Sequence, residues 1–337
     1  MQGHVSILSV SPEAAAMIAS GGRISTMDGT ADEIYANSLS AGQEKNEKLI
    51  GKVLSSGHTS VLEHCYVNLS FENVSVLAEQ FLIEFRLASF TVKSRRYVDF
   101  SKAGYVSPVF TANVQMAIFE RTVESLFGTY DVLEAAGVPK EDARFVLPYC
   151  FCSNFFCSMN ARELVHVMNE LAYGRGSRIP ELRALGESLF AQCEQQIPFL
   201  AVRKPEAYRQ SDAFCLRQVQ LLTSKAPVTV LAAPQDAEGL ICGAYQLARG
   251  NVPQPLTKPE QTALLKALLA QPRKRELEQA SYTLLFGGLS LAALTHLTRH
   301  RMQALCAPNL LKSARYDRYV LPESVQQTGL EAQYREA

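Results

Sequence analysis

The chain has no surplus charge of either sign: 33 Lys and Arg are balanced by 33 Asp and Glu in 337 residues. A net charge of zero gives no global field for nucleic acid or a membrane surface, while leaving room for a local cationic pocket. No apolar run approaches the roughly 18 residues that a spanning helix needs. The eight cysteines, at 65, 150, 152, 157, 193, 215, 242 and 306, lack metal-site spacing. Cys150 and Cys152 are one residue closer than the common two-spaced pair, and no second pair answers them. No metal is expected. Free thiols without a signal peptide point to a reducing cytoplasm. What is present is a globular balance, 47% hydrophobic and 20% charged, with length for about two domains.

The chain also repeats itself. Residues 62–86, LEHCYVNLSFENVSVLAEQFLIEFR, recur without a gap as residues 277–301, LEQASYTLLFGGLSLAALTHLTRHR. Leu, Glu, Leu, Phe, Ser, Ala, Leu and Arg stand at equal positions, and only the second copy ends in Arg299-His300-Arg301. A second echo follows, Lys93-Ser94-Arg95-Arg96-Tyr97 returning as Lys312-Ser313-Ala314-Arg315-Tyr316. Residues 5–10 are β-rich and lead through Ser11-Pro12-Glu13 into an Ala-rich helix to about Ser20. Residues 228–233 followed by Pro234-Gln235-Asp236 have the same strand-to-helix opening. One repeat is therefore assigned to residues 1–210 and another to 226–337, with the connection within the more polar 204–225.

In the first repeat, residues 65–71 predict a strand, 74–87 a strongly apolar helix, and 90–99 a loop carrying Lys93, Ser94 and Arg96. Residues 113–136 predict a long helix ended by Gly137-Val138-Pro139. Residues 145–159 alternate as a strand does, and Asn160 opens a helix. In the second repeat a helix spans 289–297. After Tyr316 only Val320-Leu321-Pro322 and a short polar helix remain, so either this copy has lost its back portion or this sequence ends before it. Helices flanking a modest sheet make an α+β architecture.

Several segments have both a structural and a chemical reading. Arg299, His300 and Arg301 lie where cations offset a helix macrodipole, worth ~0.3–1 kcal/mol each. Two arginines around a histidine also present fixed donors to phosphate oxygens. Asn160 and Glu163 form a helix-start pair, and Arg162 and His166, four apart, share one helix face beside that N-terminus. His58-Thr59-Ser60 and Glu63-His64 are turn formers by default. The basic loop 93–96 is ordinarily solvated surface, yet Ser94 with an arginine can also hold phosphate. Arg144, in a capped segment, is by default a helix-surface charge.

Taken together these pieces resemble the flavin-dependent thymidylate synthases. The match rests on Gly57-His58-Thr59-Ser60-Val61-Leu62-Glu63-His64, then Arg86, seven residues, Ser94 and Arg96-Tyr97. Ala143-Arg144-Phe145-Val146-Leu147-Pro148 and Asn160-Ala161-Arg162 with His166 follow in order. The family's Arg-His before Arg86 is here Glu84-Phe85. The second copy restores Arg299-His300-Arg301 but has residues 272–276 in place of the His-Thr-Ser loop. Eight residues after Arg301 stands Asn309, and a four-residue insertion brings in Ser313 and Arg315. Leu171 occupies a family arginine position, with Arg175 and Arg178 as possible substitutes.

The resemblance implies helices packed on a small, mainly antiparallel sheet, duplicated here with a shortened second copy. It implies one composite site, because family members build each site between subunits. Arg299, His300 and Arg301, with Asn160, Arg162, His166, His58, Ser60 and Glu63, would hold FAD. Ser313, Arg315 and Arg144 would act on the nucleotide, and Ser94, Arg96 and Arg144 would bind it. The implied reaction is reductive methylation of dUMP, with methylenetetrahydrofolate as carbon donor and NADPH reducing FAD. A modified pyrimidine is the other open substrate. The alternative is a catalytically inactive flavin- or nucleotide-binding scaffold of the same family. Small molecules are the implied partners, in a homo-oligomer, with neither nucleic acid nor membrane.

Overall fold

The computed structural model describes residues 3–209, 227–307 and 319–337. Strand β1 (His4–Val10) is followed by helices α1 (Ala14–Arg23), α2 (Ala31–Ala41) and α3 (Gln43–Ser55). A 3-10 turn, Thr59–His64, delivers the chain to β2 (Tyr66–Ser75), α4 (Val76–Leu82) and β3 (Ala88–Val92). Next come α5 (Asn113–Ala135), the single turn α6 (Lys140–Ala143) and β4 (Cys152–Asn160). Helices α7 (Ala161–Ala172), α8 (Pro180–Gln196) and α9 (Pro205–Tyr208) follow. The later part holds β5 (Val228–Ala232), α10 (Ala237–Leu247), α11 (Lys258–Leu269), β6 (Thr283–Phe286) and α12 (Leu291–Thr298). Two short helices, Glu323–Thr328 and Glu331–Glu336, close it. No described helix is long and apolar enough to cross a membrane.

The chain packs as two compact units, residues 1–215 with 292–337, and residues 216–291. In the first, an antiparallel sheet has the order β1-β2-β4-β3. Val67, Leu69 and Phe71 of β2 and Phe155, Cys157 and Met159 of β4 point to one face, beneath α1, α3, α7 and α8. Tyr66 and Phe156 point the other way, the period-two consequence of the pleat. Phe71 stacks on Phe155 with ring centroids 4.7 Å apart, worth about 0.5–1.5 kcal/mol beyond burial. A second cluster joins Phe100, Tyr130, Leu133, Val146 and Phe151 to Val325 and Tyr334, so the C-terminal helices pack on α5 and α6. Ser324 Oγ donates to Asp142 Oδ2 at 2.6 Å.

Helices α7 and α8 approach closely at Gly186, where a Cβ would stand 2.8 Å from Leu171 Cβ and 2.9 Å from the Ala172 nitrogen. Overpacking costs about 1–3 kcal/mol and a helix-interior alanine returns ~1, so Gly186→Ala should lose up to about 2 kcal/mol. Urea denaturation checks this; a gain in stability would show that the two helices separate freely.

Four local expectations are corrected. The apolar run 74–87 is the end of β2, the short α4 and a turn, because pairing with β4 holds Val74 and Ser75 in the strand and Ser75 then caps a helix of only seven residues. Residues 88–92, of which the sequence assigns 90–92 to a loop, form an edge strand against β4. The alternating run 145–159 becomes a strand only from Cys152, since residues 144–146 form a 3-10 turn. The C-terminal segment has two helices rather than one.

The second unit pairs β5 with β6 beside α10 and α11, with Ile241, Cys242 and Leu268 buried. Its register is Val228↔Phe286, Thr229↔Leu285 and Val230↔Leu284, then a bulge, then Ala232↔Thr283. In the first unit β1 pairs Val5↔Phe71, Ser6↔Ser70 and Ile7↔Leu69, then a bulge, then Ser9↔Asn68.

Candidate active site

Helix α4 starts where β2 ends: Ser75 Oγ caps it by accepting from the Ala78 nitrogen. Its first N–H groups are taken by the backbone, Val76 and Leu77 donating to the Phe151 and Tyr149 carbonyls at 3.0 Å. This fixes Glu79 and Gln80 under the segment that carries Tyr149. Helix α12 meets α4 there. Thr295 Oγ1 donates to Gln80 Oε1 at 2.6 Å, and Gln80 Nε2 donates to Thr298 Oγ1 at 3.4 Å. Tyr149 also hydrogen-bonds Thr295.

Cations from distant parts of the sequence gather around this contact. Glu79, 1% exposed, receives Arg95 and the Ser153 hydroxyl (2.6 Å) on Oε2, and Arg299 Nη2 lies 3.6 Å from its Oε1. Arg144 is half-buried at the end of α6, held by its Nε donating to the Glu141 carbonyl at 2.9 Å. Burial lowers its pKa first, and Arg95 and Arg96 lower it further. His296 is pushed below the ordinary histidine value by desolvation, then by Arg144, Arg299, Arg96 and His300. So many cations repelling one another, with Glu79 set against them, make a place for an anion.

Among the described residues, two buried atoms at the centre have no hydrogen-bond partner, Glu79 Oε1 and Arg95 Nε. Buried polar groups are nearly always satisfied, and leaving one unmade costs about 1–3 kcal/mol. An acceptor and a donor left open beside an excess of positive charge fit a polar, anionic molecule.

A second group lies at the start of α7. Asn160 Oδ1 accepts from the Glu163 nitrogen at 2.9 Å and caps the helix. Arg162 pairs with Glu63 of the 3-10 turn at 2.5 Å. His166 Nδ1 lies 2.8 Å from the Tyr208 hydroxyl, and Phe85 packs edge-on against the His166 ring at 5.4 Å. His58 and Ser60 sit exposed at that turn. Between the groups, Arg301 Nη2 donates to the Ala88 carbonyl (2.9 Å) and Ser89 Oγ (2.8 Å). The Ser94 hydroxyl accepts from the Arg96 nitrogen at 3.3 Å, ordering the basic loop.

The structure thus brings Arg96, Arg144, Arg299 and His300 to one cluster, and Glu63, Asn160, Arg162 and His166 to another. Ser313 and Arg315 lie outside the described residues. Arg144, by default a helix-surface charge, is half-buried at the end of α6. Leu171 is wholly buried in the core, and Arg175, a possible substitute, is instead turned to Glu84 at 3.0 Å. Glu79, Arg95, Tyr149 and His296 were not picked out from the sequence. A carboxylate inside an apolar helix, and a histidine one turn before Arg299, are the signals that mark two of them.

Cys65, Cys152, Cys157, Cys193 and Cys242 are buried in packing, and burial pushes the Cys193 thiol up to about 12 and the half-buried Cys150 thiol up to about 11. Cys306 is exposed, which corrects an assignment of every cysteine to packing, and Cys215 lies outside the described residues.

Comparison with known proteins places the chain. Residues 6–199 match the model of the family described as thymidylate synthase complementing protein. The flavin-dependent thymidylate synthase of Nitratidesulfovibrio vulgaris is 29% identical over 256 residues, covering 72% of this chain and 96% of that protein. The enzyme of the same name from Geobacter sulfurreducens is 34% identical over 166 residues, 48% of this chain and 70% of its own. A solved structure, the UMP/dUMP methylase PolB from Streptomyces cacaoi bound with 5-Br dUMP, aligns with a TM-score of 0.49 at 21% identity. That alignment covers 59% of this chain and 93% of the other. The chain belongs to the thymidylate synthase complementing protein family.

Proposed function

We propose that this chain is a flavin-dependent thymidylate synthase that reductively methylates dUMP, with methylenetetrahydrofolate as carbon donor and NADPH as reductant. The observation that carries this reading is the cationic cluster, in which Arg299, His300 and His296 from one end of the chain meet Arg95, Arg96 and Arg144 from another. A nucleotide phosphate supplies the missing counter-charge, and guanidinium groups match its oxygens in pairs. Arginines beside the pyrimidine also stabilise negative charge on the ring as it is activated, so the buried thiols are not needed as nucleophiles.

FAD supplies the redox chemistry when bound. The donor set at the start of α7 suits its diphosphate: a capped helix N-terminus, Arg162 and His166, flanked by Glu63, His58 and Ser60. Arg301 stands between the groups, tied to the start of β3. Ser94 holds the backbone of the basic loop so that Arg96 faces the cluster. Ser313 and Arg315, expected to reach the nucleotide, belong to the same proposal, as do a homo-oligomeric assembly and a cytoplasmic setting.

The purified chain should take up FAD, seen as a flavin visible spectrum, and form dTMP from dUMP when given methylenetetrahydrofolate and NADPH. One dUMP should bind per chain in a calorimetric titration. A protein that stays colourless with added FAD would overturn the flavin reading. Flavin uptake without dTMP formation would leave the inactive scaffold.

A further inference from the structure

The repeat in the sequence has an offset of 215 residues, and this offset reappears in the contacts. Gln80 bonds Thr295, its own counterpart in the other copy. Arg86 Nη1 donates to the Gln303 carbonyl at 3.2 Å, and Arg301 Nη2 donates to the Ala88 carbonyl at 2.9 Å. Arg86 and Arg301 are counterparts, and so are Ala88 and Gln303. The two bonds are therefore one contact made twice, in opposite directions. A residue that touches its own equivalent, flanked by a reciprocal pair, is the signature of a two-fold axis.

The elements agree. Both copies open on a strand paired in the same register, with the bulge one residue before the same step. A helix follows each strand, α1 starting at Ala14 and α10 at Ala237, nine residues after Val5 and Val228 respectively. Helix α3 starts at Gln43 and α11 at Lys258, again 215 apart.

We infer that α4 and α12, with the residues that follow each, form an internal two-fold contact, counterpart segments of one repeated sequence meeting within a chain as two identical segments would. The charge on the two sides of this axis is unequal. Arg299 reaches Glu79, whereas its counterpart Glu84 pairs with Arg175. Resting on the nucleotide reading above, this leaves one anion site per chain, on the Arg299 side.

The pairing itself is tested without any ligand. Leu87 and Met302 are exposed counterparts, 64% and 83%, flanking the reciprocal bonds. Cysteines are placed at 87 and 302, at 89 and 302, and at 87 and 304, with Cys215 and Cys306 replaced by serine. Each full-length variant is treated with a short bis-maleimide and examined by denaturing gel and peptide mass spectrometry. All three should link within one chain, and the mirror pairs 89/302 and 87/304 should link to within about twofold of each other. Products of doubled mass, no product, or linkage of one mirror pair alone would each overturn the two-fold contact. Failure of dUMP to bind, with these links present, would count against the nucleotide reading only.

Discussion

Replacing Arg299 with alanine should weaken dUMP binding about 10–100-fold, the equivalent of one charge-assisted hydrogen bond of roughly 1.5–3 kcal/mol. Arg299 is partly exposed, so its loss removes a donor from the cluster without opening the core. Glu79 keeps Arg95 and Ser153 as partners, and the fold should survive. The counterpart substitution Glu84→Ala removes a surface pair with Arg175 and should leave dUMP affinity within about twofold, since exposed pairs are worth only ~0–1 kcal/mol. Titration calorimetry of both variants decides the matter. Equal losses would mean that the cluster acts as a diffuse positive surface rather than a built site.

Arg144→Ala provides a second view of the same cluster. Its guanidinium is desolvated and crowded by Arg95 and Arg96, so its removal relieves repulsion when no ligand is present. The free variant should be as stable as the parent, while its affinity for dUMP falls. Loss of stability and affinity together would assign Arg144 to packing.

Much of this was legible in the sequence wherever the determinant is local. Asn160 followed three residues on by Glu163 announces the start of α7, and the capping bond is present. The Gly137-Val138-Pro139 stop is met, α5 ending at Ala135, one residue before the expected 136. The repeated strand-to-helix opening foretold β1–α1 and β5–α10. Other features depend on partners far along the chain. Residues 74 and 75 stay in β2 because β4 pairs with them, a division that periodicity within 74–87 could not show. Strand β3 exists because β4 pairs with it, and β4 lies some 60 residues away. Glu79, Arg95 and His296 acquire meaning only when α12 docks on α4, which joins residues more than 200 positions apart. The asymmetry between Glu84-Phe85 and Arg299-His300 was visible as a departure from the family pattern. Its physical use was not: Phe85 is buried against His166, and Glu84 is spent on Arg175.

Glu79 should carry a large stability effect. Its carboxylate is 1% exposed and lies between Arg95, itself largely buried, and Arg299. Removing one partner of a buried ion pair costs about 3–5 kcal/mol, because the remaining charge is left without compensation. Glu79→Leu should lose that much in urea denaturation, and Glu79→Gln less, since an amide oxygen still accepts from Arg95 and Ser153. The variants also report on the ligand. In the parent, Glu79 already offsets part of the cluster's charge; without it, a bound phosphate has more uncompensated cation to meet. Saturating dUMP should therefore raise the unfolding midpoint of Glu79→Gln by more than it raises that of the parent, through tighter binding to the folded state. An equal shift would place the nucleotide away from Arg95 and Arg299, and with it the site.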